Sequence, residues 1–334
     1  MSSEDVDGRR GGHEPVMLEE VLRWLAPSVG ARFLDLTVGA GGHARGILER
    51  IGPTGLLVGV DRDEEVLADT SRRLKQEFPH ARFIHANFAG IGELRRHLGP
   101  ITFHGLLLDL GASSMQLDDH ERGFSFLRSG PLDMRMDRTE GVTSAELLRD
   151  STAEELERLL RLYGEERHAR RIARAIVRER ERTALVDTAQ LAAVIERASL
   201  SRRRRIHPAT RSFQALRIAV NDELGNLERF LEGFDRLLHP QGVIVVISFH
   251  SLEDRLVKQC FRSRAREGRL EVLTPKPIRA GAEETRRNRR ARSARLRAAR
   301  LTATTDEPGE GRDDASSIDR SYRTGRRDGD RGRP

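Results

Sequence analysis

Apolar residues fall along this chain in short clusters whose spacing changes from one region to the next. Runs rich in Val, Ile, Leu and Phe occur at Arg32–Val38, Leu56–Asp61, Arg82–Ala86, Gly105–Asp109 and Val243–Phe249, most of them ending near Gly or Asp. Such runs read as buried strands. The first three are each followed by ~10 to 15 residues with helical periodicity, so the pattern predicts an α/β fold with a parallel, doubly wound sheet. Roughly a hundred residues separate the fourth run from the fifth, far more than an ordinary crossover needs. Within that gap Ala169, Ile172, Ala173, Ile176 and Val177 repeat at helical spacing, as do Leu191, Val194, Ile195 and Ala198. The expectation is a helical domain inserted over residues 119–207, with a core made of 13–118 and 208–302. Leu270–Thr274 and Ala294–Ala299 read as further edge strands, the second equally well as a basic helix. Residues 1–12 and 303–334 carry almost no apolar side chains and are expected to stay disordered.

Composition narrows the class. The chain has 334 residues, 37% hydrophobic and 33% charged, with a net charge of +7. Cys260 is the sole cysteine, so no internal disulfide can form, and no apolar run approaches the ~18 to 20 residues that span a bilayer. With no apolar signal core at the N-terminus, a soluble cytoplasmic protein is expected. A basic balance favours a polyphosphate partner, although arginine-rich usage alone is not specific.

Candidate chemistry gathers at strand ends. The first run leads into Asp35-Leu36-Thr37-Val38-Gly39-Ala40-Gly41-Gly42-His43 and then a helix expected over Ala44–Arg50. Glycines let a backbone approach a ligand, and a helix N-terminus offers free N–H groups. Asp61, closing the second run, sits where a ribose-binding acid belongs. The motif by itself fits a nicotinamide dinucleotide or S-adenosylmethionine, or a turn without ligand. Asp35 leans toward the second, since an acid there suits a cationic amino-acid end and repels a pyrophosphate. Asp109 ends a continuous apolar strand, where open α/β sheets place ligands and where an unpaired carboxylate is costly; a cap or turn is the alternative. Asp133 and Asp137 flank Arg135, which a surface ion pair explains as well as chemistry does. Arg202, Arg203, Arg204 and Arg205, with His207 and Arg211, form the strongest phosphate-contact candidate. His250 is a candidate base contact, and Ser251 to Asp254 reads as a capping box. The histidines show no metal-ligand spacing, so no metal requirement is expected.

In their order, these blocks resemble the RsmH (MraW) family of bacterial ribosomal RNA methyltransferases. The resemblance runs from His13-Glu14-Pro15-Val16-Met17-Leu18 through Gly39–His43, Asp109–Asp119, Glu121–Asp137, Gly164–Arg167, Arg171–Ile176, His207–Leu224 and Ile247–Arg255 to Arg290–Arg297. It departs at Met115, where the family has proline, and at His168, where it has an aromatic residue. The resemblance implies a class I methyltransferase core, and S-adenosylmethionine contacts from Gly41, Gly42, His43, Asp61, Phe88, Asp109 and Gln116. It also implies methylation of cytidine N4 in the decoding region of 16S ribosomal RNA, with the small ribosomal subunit as partner and Asp109 as first candidate for the group that binds the amine. A non-catalytic RNA-binding assembly factor and a nicotinamide-dependent oxidoreductase stand as alternatives.

Overall fold

The computed structural model describes residues 14–199 and 207–302. Seven strands form one sheet in the order β3-β2-β1-β4-β5-β7-β6, with β1 Arg32–Asp35, β2 Leu56–Asp61, β3 Arg82–His85, β4 Phe103–Asp109, β5 Leu238–Ser248, β6 Leu270–Val272 and β7 Arg295–Leu301. The first five are parallel; β7 runs antiparallel to both β5 and β6. The five predicted strands are therefore present, and the sheet is the doubly wound α/β core expected of a class I methyltransferase. Strand bounds shift by a few residues, β5 starting as early as Leu238, and two differences have a clear physical reason. The chain leaves the strand at Asp35, three residues early, because Leu36–Val38 already turns toward the glycines. The segment at Arg295 is an inner strand, neither an edge nor a helix, since Leu296, Ala298 and Ala299 are all fully buried between sheet faces.

Alternation along the strands sorts the core. Leu107, Val245 and Ile247 point to one face, against helices α1 (Leu18–Leu25), α2 (Gly42–Ile51) and α3 (Glu64–Glu77). Leu106, Leu108, Ile244 and Val246 point to the other, against α4 (Ile91–Leu98), α11 (Glu223–Gly233) and α12 (Ser251–Arg266). The expected run of helices in the long gap is present as α5 (Ser114–Asp118), α6 (Ser144–Asp150), α7 (Ala153–Gly164), α8 (Ala169–Arg180) and α9 (Thr188–Ala198). A third apolar cluster holds α6 to α9 together through Leu148, Leu156, Leu160, Ile172, Ile176, Leu191 and Ile195. Helix α10 (Thr210–Asn221) also gives its buried face, Phe213 and Leu216, to this cluster. The short α13 (Ala282–Arg287) follows β6.

One side chain fastens these parts together. Asn221, at the end of α10, is buried; its Nδ2 donates to the Met134 and Arg217 carbonyls at 2.7 and 2.9 Å, and its Oδ1 accepts from Met136 N–H at 2.8 Å. Its own carbonyl accepts from Arg62 and Asn226. Asn221→Ala leaves two buried backbone groups of the 134–136 segment without partners and is expected to cost about 2–4 kcal/mol. A thermal melt checks this: Tm should fall by several degrees with the fold retained, whereas an unchanged Tm would mean that the segment is held elsewhere.

Candidate functional site

A cleft opens at the carboxyl ends of β1, β2 and β4, where a doubly wound sheet places its ligand. It is lined by the glycine turn, Asp61, Phe88, Asp109 to Ser114, Gln116 and Met136, and also by Thr37, Glu223, Glu253 and Arg290. The structure thus brings together Gly39, Gly41, Gly42, His43, Asp61, Phe88, Asp109 and Gln116 from the sequence reading.

The turn is set by its glycines. Gly39 and Gly41 have φ of 48° and 80°, in the left-handed region that side chains disfavour. At Gly41 the missing side chain makes room for the protein itself: a Cβ there would lie 2.7 Å from Thr70 and 2.9 Å from Leu74. Asp61 fastens the turn, its Oδ2 accepting from Gly39 N–H at 2.8 Å and its Oδ1 from Asp63 N–H at 2.9 Å. Burial pushes Asp61 up to about 6 against the lowering effect of those two hydrogen bonds.

Asp109 forms the floor. Its backbone N–H donates to Thr37 Oγ1 at 2.7 Å, its buried Oδ1 has no hydrogen-bond partner, and its Oδ2 lies 3.8 Å from His43 Nδ1. The other nitrogen of His43, Nε2, lies 2.9 Å from the Val16 carbonyl. That carbonyl can only accept, so the proton sits on Nε2 and leaves Nδ1 facing Asp109. Burial raises the Asp109 pKa; His43 and Arg290 pull it back and Glu253 adds to the rise. Arg290 donates to the Ala112 carbonyl and to Ser114 Oγ, with its guanidinium 5.9 Å from the Phe249 ring centre.

Gln116 is held rather than free. It completes a capping box with Ser113, and its Nε2 donates to Asp63 Oδ2 at 2.7 Å. The same oxygen accepts from Arg122 Nη2 at 2.6 Å, and Arg122 reaches on to the Met136 carbonyl at 2.9 Å.

Other predicted residues lie elsewhere. Asp35 does not line the cleft; it is buried beneath the turn, one oxygen accepting from Thr37 N–H and the other unpartnered, and burial pushes it up to about 8. Its carboxyl therefore lies behind the glycine turn and not in the cleft lining. His250 is buried outside the cleft lining and caps α12: its Nδ1 accepts from Glu253 N–H, and Glu253 Oε2 accepts from Phe249 and His250 N–H. The capping box therefore begins one residue earlier than expected, and a His250 contact to a base is not available in this arrangement. Asp133 pairs with Arg135 at 2.7 Å, and Asp137 lies 3.6 Å from His85 Nε2, in line with the ion-pair reading. His207 is exposed with its ring 4.6 Å from Phe126, and Arg211 donates to the Glu165 carbonyl, both outside the cleft. Arg202, Arg203, Arg204 and Arg205 lie outside the described residues.

The sequence reading passed over Asp63, Glu223, Glu253 and Arg290 as site residues. Glu223, His250 and Glu253 bring their ligand atoms within 4.8 Å of one another. The positive charge there comes from Arg217, whose Nε and Nη2 donate to Glu223 at 2.7 and 2.9 Å. No spacing announces this group, because its members meet only when α10, α11 and α12 pack.

The model of the MraW methylase family matches residues 10–302. The chain belongs to that family. Similar proteins named ribosomal RNA small subunit methyltransferase H come from Trichlorobacter lovleyi, 49% identical over 86% of this chain and 97% of that protein, and from Thermomicrobium roseum, 48% identical over 87% and 94%. A third, from Nitratidesulfovibrio vulgaris, is 46% identical over 92% and 91%. Membership removes the oxidoreductase alternative, and the methylase cofactor is S-adenosyl-L-methionine. The cleft fits it: Asp61 offers a carboxylate to hydroxyl groups and Phe88 an aromatic face. Because Asp61 titrates near 6, its carboxylate is lost as pH falls through that value. Titration calorimetry should show cofactor affinity weaker at pH 5.5 than at pH 7.5, with Asp61→Asn weak at both (conditions of about these values). Equal affinity for the wild type across that range would remove Asp61 from the contact.

Proposed function

We propose that this chain methylates the exocyclic N4 amine of a cytidine in the decoding region of small-subunit ribosomal RNA. The relatives named above support ribosomal RNA as the substrate class. The choice of N4 rests on the resemblance of the whole series of blocks to the RsmH family. The observation that carries the reading is Asp109, a carboxyl buried at the end of β4 with one oxygen left unpartnered in the cleft wall.

When bound, S-adenosylmethionine supplies an activated methyl group for in-line displacement, and the protein chiefly supplies orientation. The N4 lone pair of cytosine is delocalised into its ring. A carboxylate that accepts an amine hydrogen localises that pair and takes the proton released when the nitrogen–carbon bond forms. What supports this role is that Thr37 fixes the Asp109 backbone and burial makes the carboxylate a stronger base than an exposed aspartate. Gln116 and Arg122, tied through Asp63, keep the cleft wall in register.

The helices between β4 and β5, with the basic segment Arg202 to Arg205, clamp the RNA backbone so that the target base can be unstacked. The carboxylate must be ionised to accept a hydrogen, so activity rises with pH as Asp109 loses its proton, at a value above the ordinary aspartate range. Asp109→Asn is expected to lower single-turnover methylation about 10²- to 10⁴-fold while cofactor affinity stays within a few-fold of wild type. Near-normal turnover by this variant would exclude Asp109 as the acceptor.

A further inference from the structure

Helix α8 is charged in a way that its own stability does not explain. The helices packed around it start with side-chain caps, Thr143 for α6, Thr152 for α7 and Asp187 for α9. Helix α8 has no side-chain cap and no acid in its first turn, which instead carries Arg170 and Arg171. Cations at a helix N-terminus oppose the helix dipole. Ala169, Ile172, Ala173 and Ile176 bury one face, while Arg171, Arg174 and Arg178, at i, i+3 and i+7, are exposed on the opposite one, and Arg182 extends the row at i+11. These four arginines make no ion pair among the described residues.

The row does not stand alone on a convex surface. Arg171, Arg178 and Arg182 share a shallow groove with Arg197 of α9, floored by Ala175, Val194 and Ala198. Glu179 is the acid of that groove, and it is already engaged with Arg197 at 3.3 Å. Like charges gathered along a groove repel one another unless an anion lies between them. Their spacing along more than two helical turns suits a chain of anions better than a single one.

We propose that the α8–α9 arginine groove is a rail for a ribose-phosphate backbone, gripping RNA at a distance from the reacting base. The inference rests on the reading of RNA as substrate. Helix α8 packs on α7, α7 packs on α10, and α10 carries Arg217, whose partner Glu223 opens α11 and lines the cleft. The rail is thus joined to the chemistry through rigid helices. It contributes phosphate contacts, which fix register without reading sequence.

The test compares wild type with a variant in which Arg171, Arg174, Arg178 and Arg182 are all changed to Gln. A control of equal net charge changes Arg23, Arg96, Arg262 and Arg266, exposed on α1, α4 and α12, to Gln. Two readouts are taken across salt concentrations: filter retention of naked small-subunit ribosomal RNA, and methylation of undermethylated small subunits. Each lost phosphate contact flattens the slope of log affinity against log salt by about 0.7 to 0.9, so the rail variant should lose about 3 in slope. Its KM for subunits should rise at least about tenfold at 0.1 M salt, an amount chosen as a working threshold, while kcat and cofactor affinity stay unchanged. The control should shift neither slope nor KM by a comparable amount.

Equal slopes for the two variants on naked RNA would overturn the rail. A defect seen with subunits but not with naked RNA would also overturn it, and would point to an acidic ribosomal protein as the partner. If wild type retains RNA through the rail yet methylates no subunit, the functional reading fails while the rail stands. Unchanged cofactor affinity and Tm in the variant exclude misfolding as the cause.

Discussion

The carboxylate of Asp63 is almost fully buried, and the arrangement of the cleft depends on how its charge is met. Arg122 and Gln116 both donate to its Oδ2, while its Oδ1 caps α3. A buried charge without its partner costs several kcal/mol, so the loop that carries Arg122 cannot drift from the sheet without a large penalty. Because Arg122 also holds the Met136 carbonyl, the same contact positions the segment that forms one wall of the cleft. Asn221 holds that segment from the other side. The glycine turn, the α5 cap and the helices between β4 and β5 therefore meet at one ion pair.

Around this anchor the protein separates its charges. Asp35, Asp61 and Asp109 crowd the carboxyl edge of the sheet, where burial raises all three. The consequences differ with exposure to the cleft. Asp35 is sealed beneath the turn with one oxygen unpartnered, whereas Asp61 and Asp109 line the cleft. Arginines dominate elsewhere: Arg290 and Arg217 border the acceptor end, and those of α8 face outward. Acids thus crowd the cleft with Arg290 among them, while the α8 guanidiniums lie outside it.

Much of the core was legible because the central strands carry continuous apolar runs, as at Leu106-Leu107-Leu108-Asp109 and Val243–Ile247. The glycine turn and Asp61 were legible for the same reason, since strand ends place ligands in this architecture. The depth of Asp35 was not legible, because its burial behind the turn has no local signature. The register of the α12 cap shifted from Ser251 to His250 because a histidine can accept through Nδ1, which the usual capping pattern does not encode. Glu223, Glu253 and Arg290 stayed hidden because distant segments bring them to the cleft. The sequence reading singled out only the apolar face of α8; its arginine row and the groove it shares with α9 emerged from packing.

The measurement that tests the account most directly is incubation of the purified protein with labelled S-adenosylmethionine and undermethylated small ribosomal subunits, followed by nucleoside analysis. The account predicts label recovered as N4-methylcytidine. Label on another nucleoside, or none despite demonstrable cofactor binding, would contradict it.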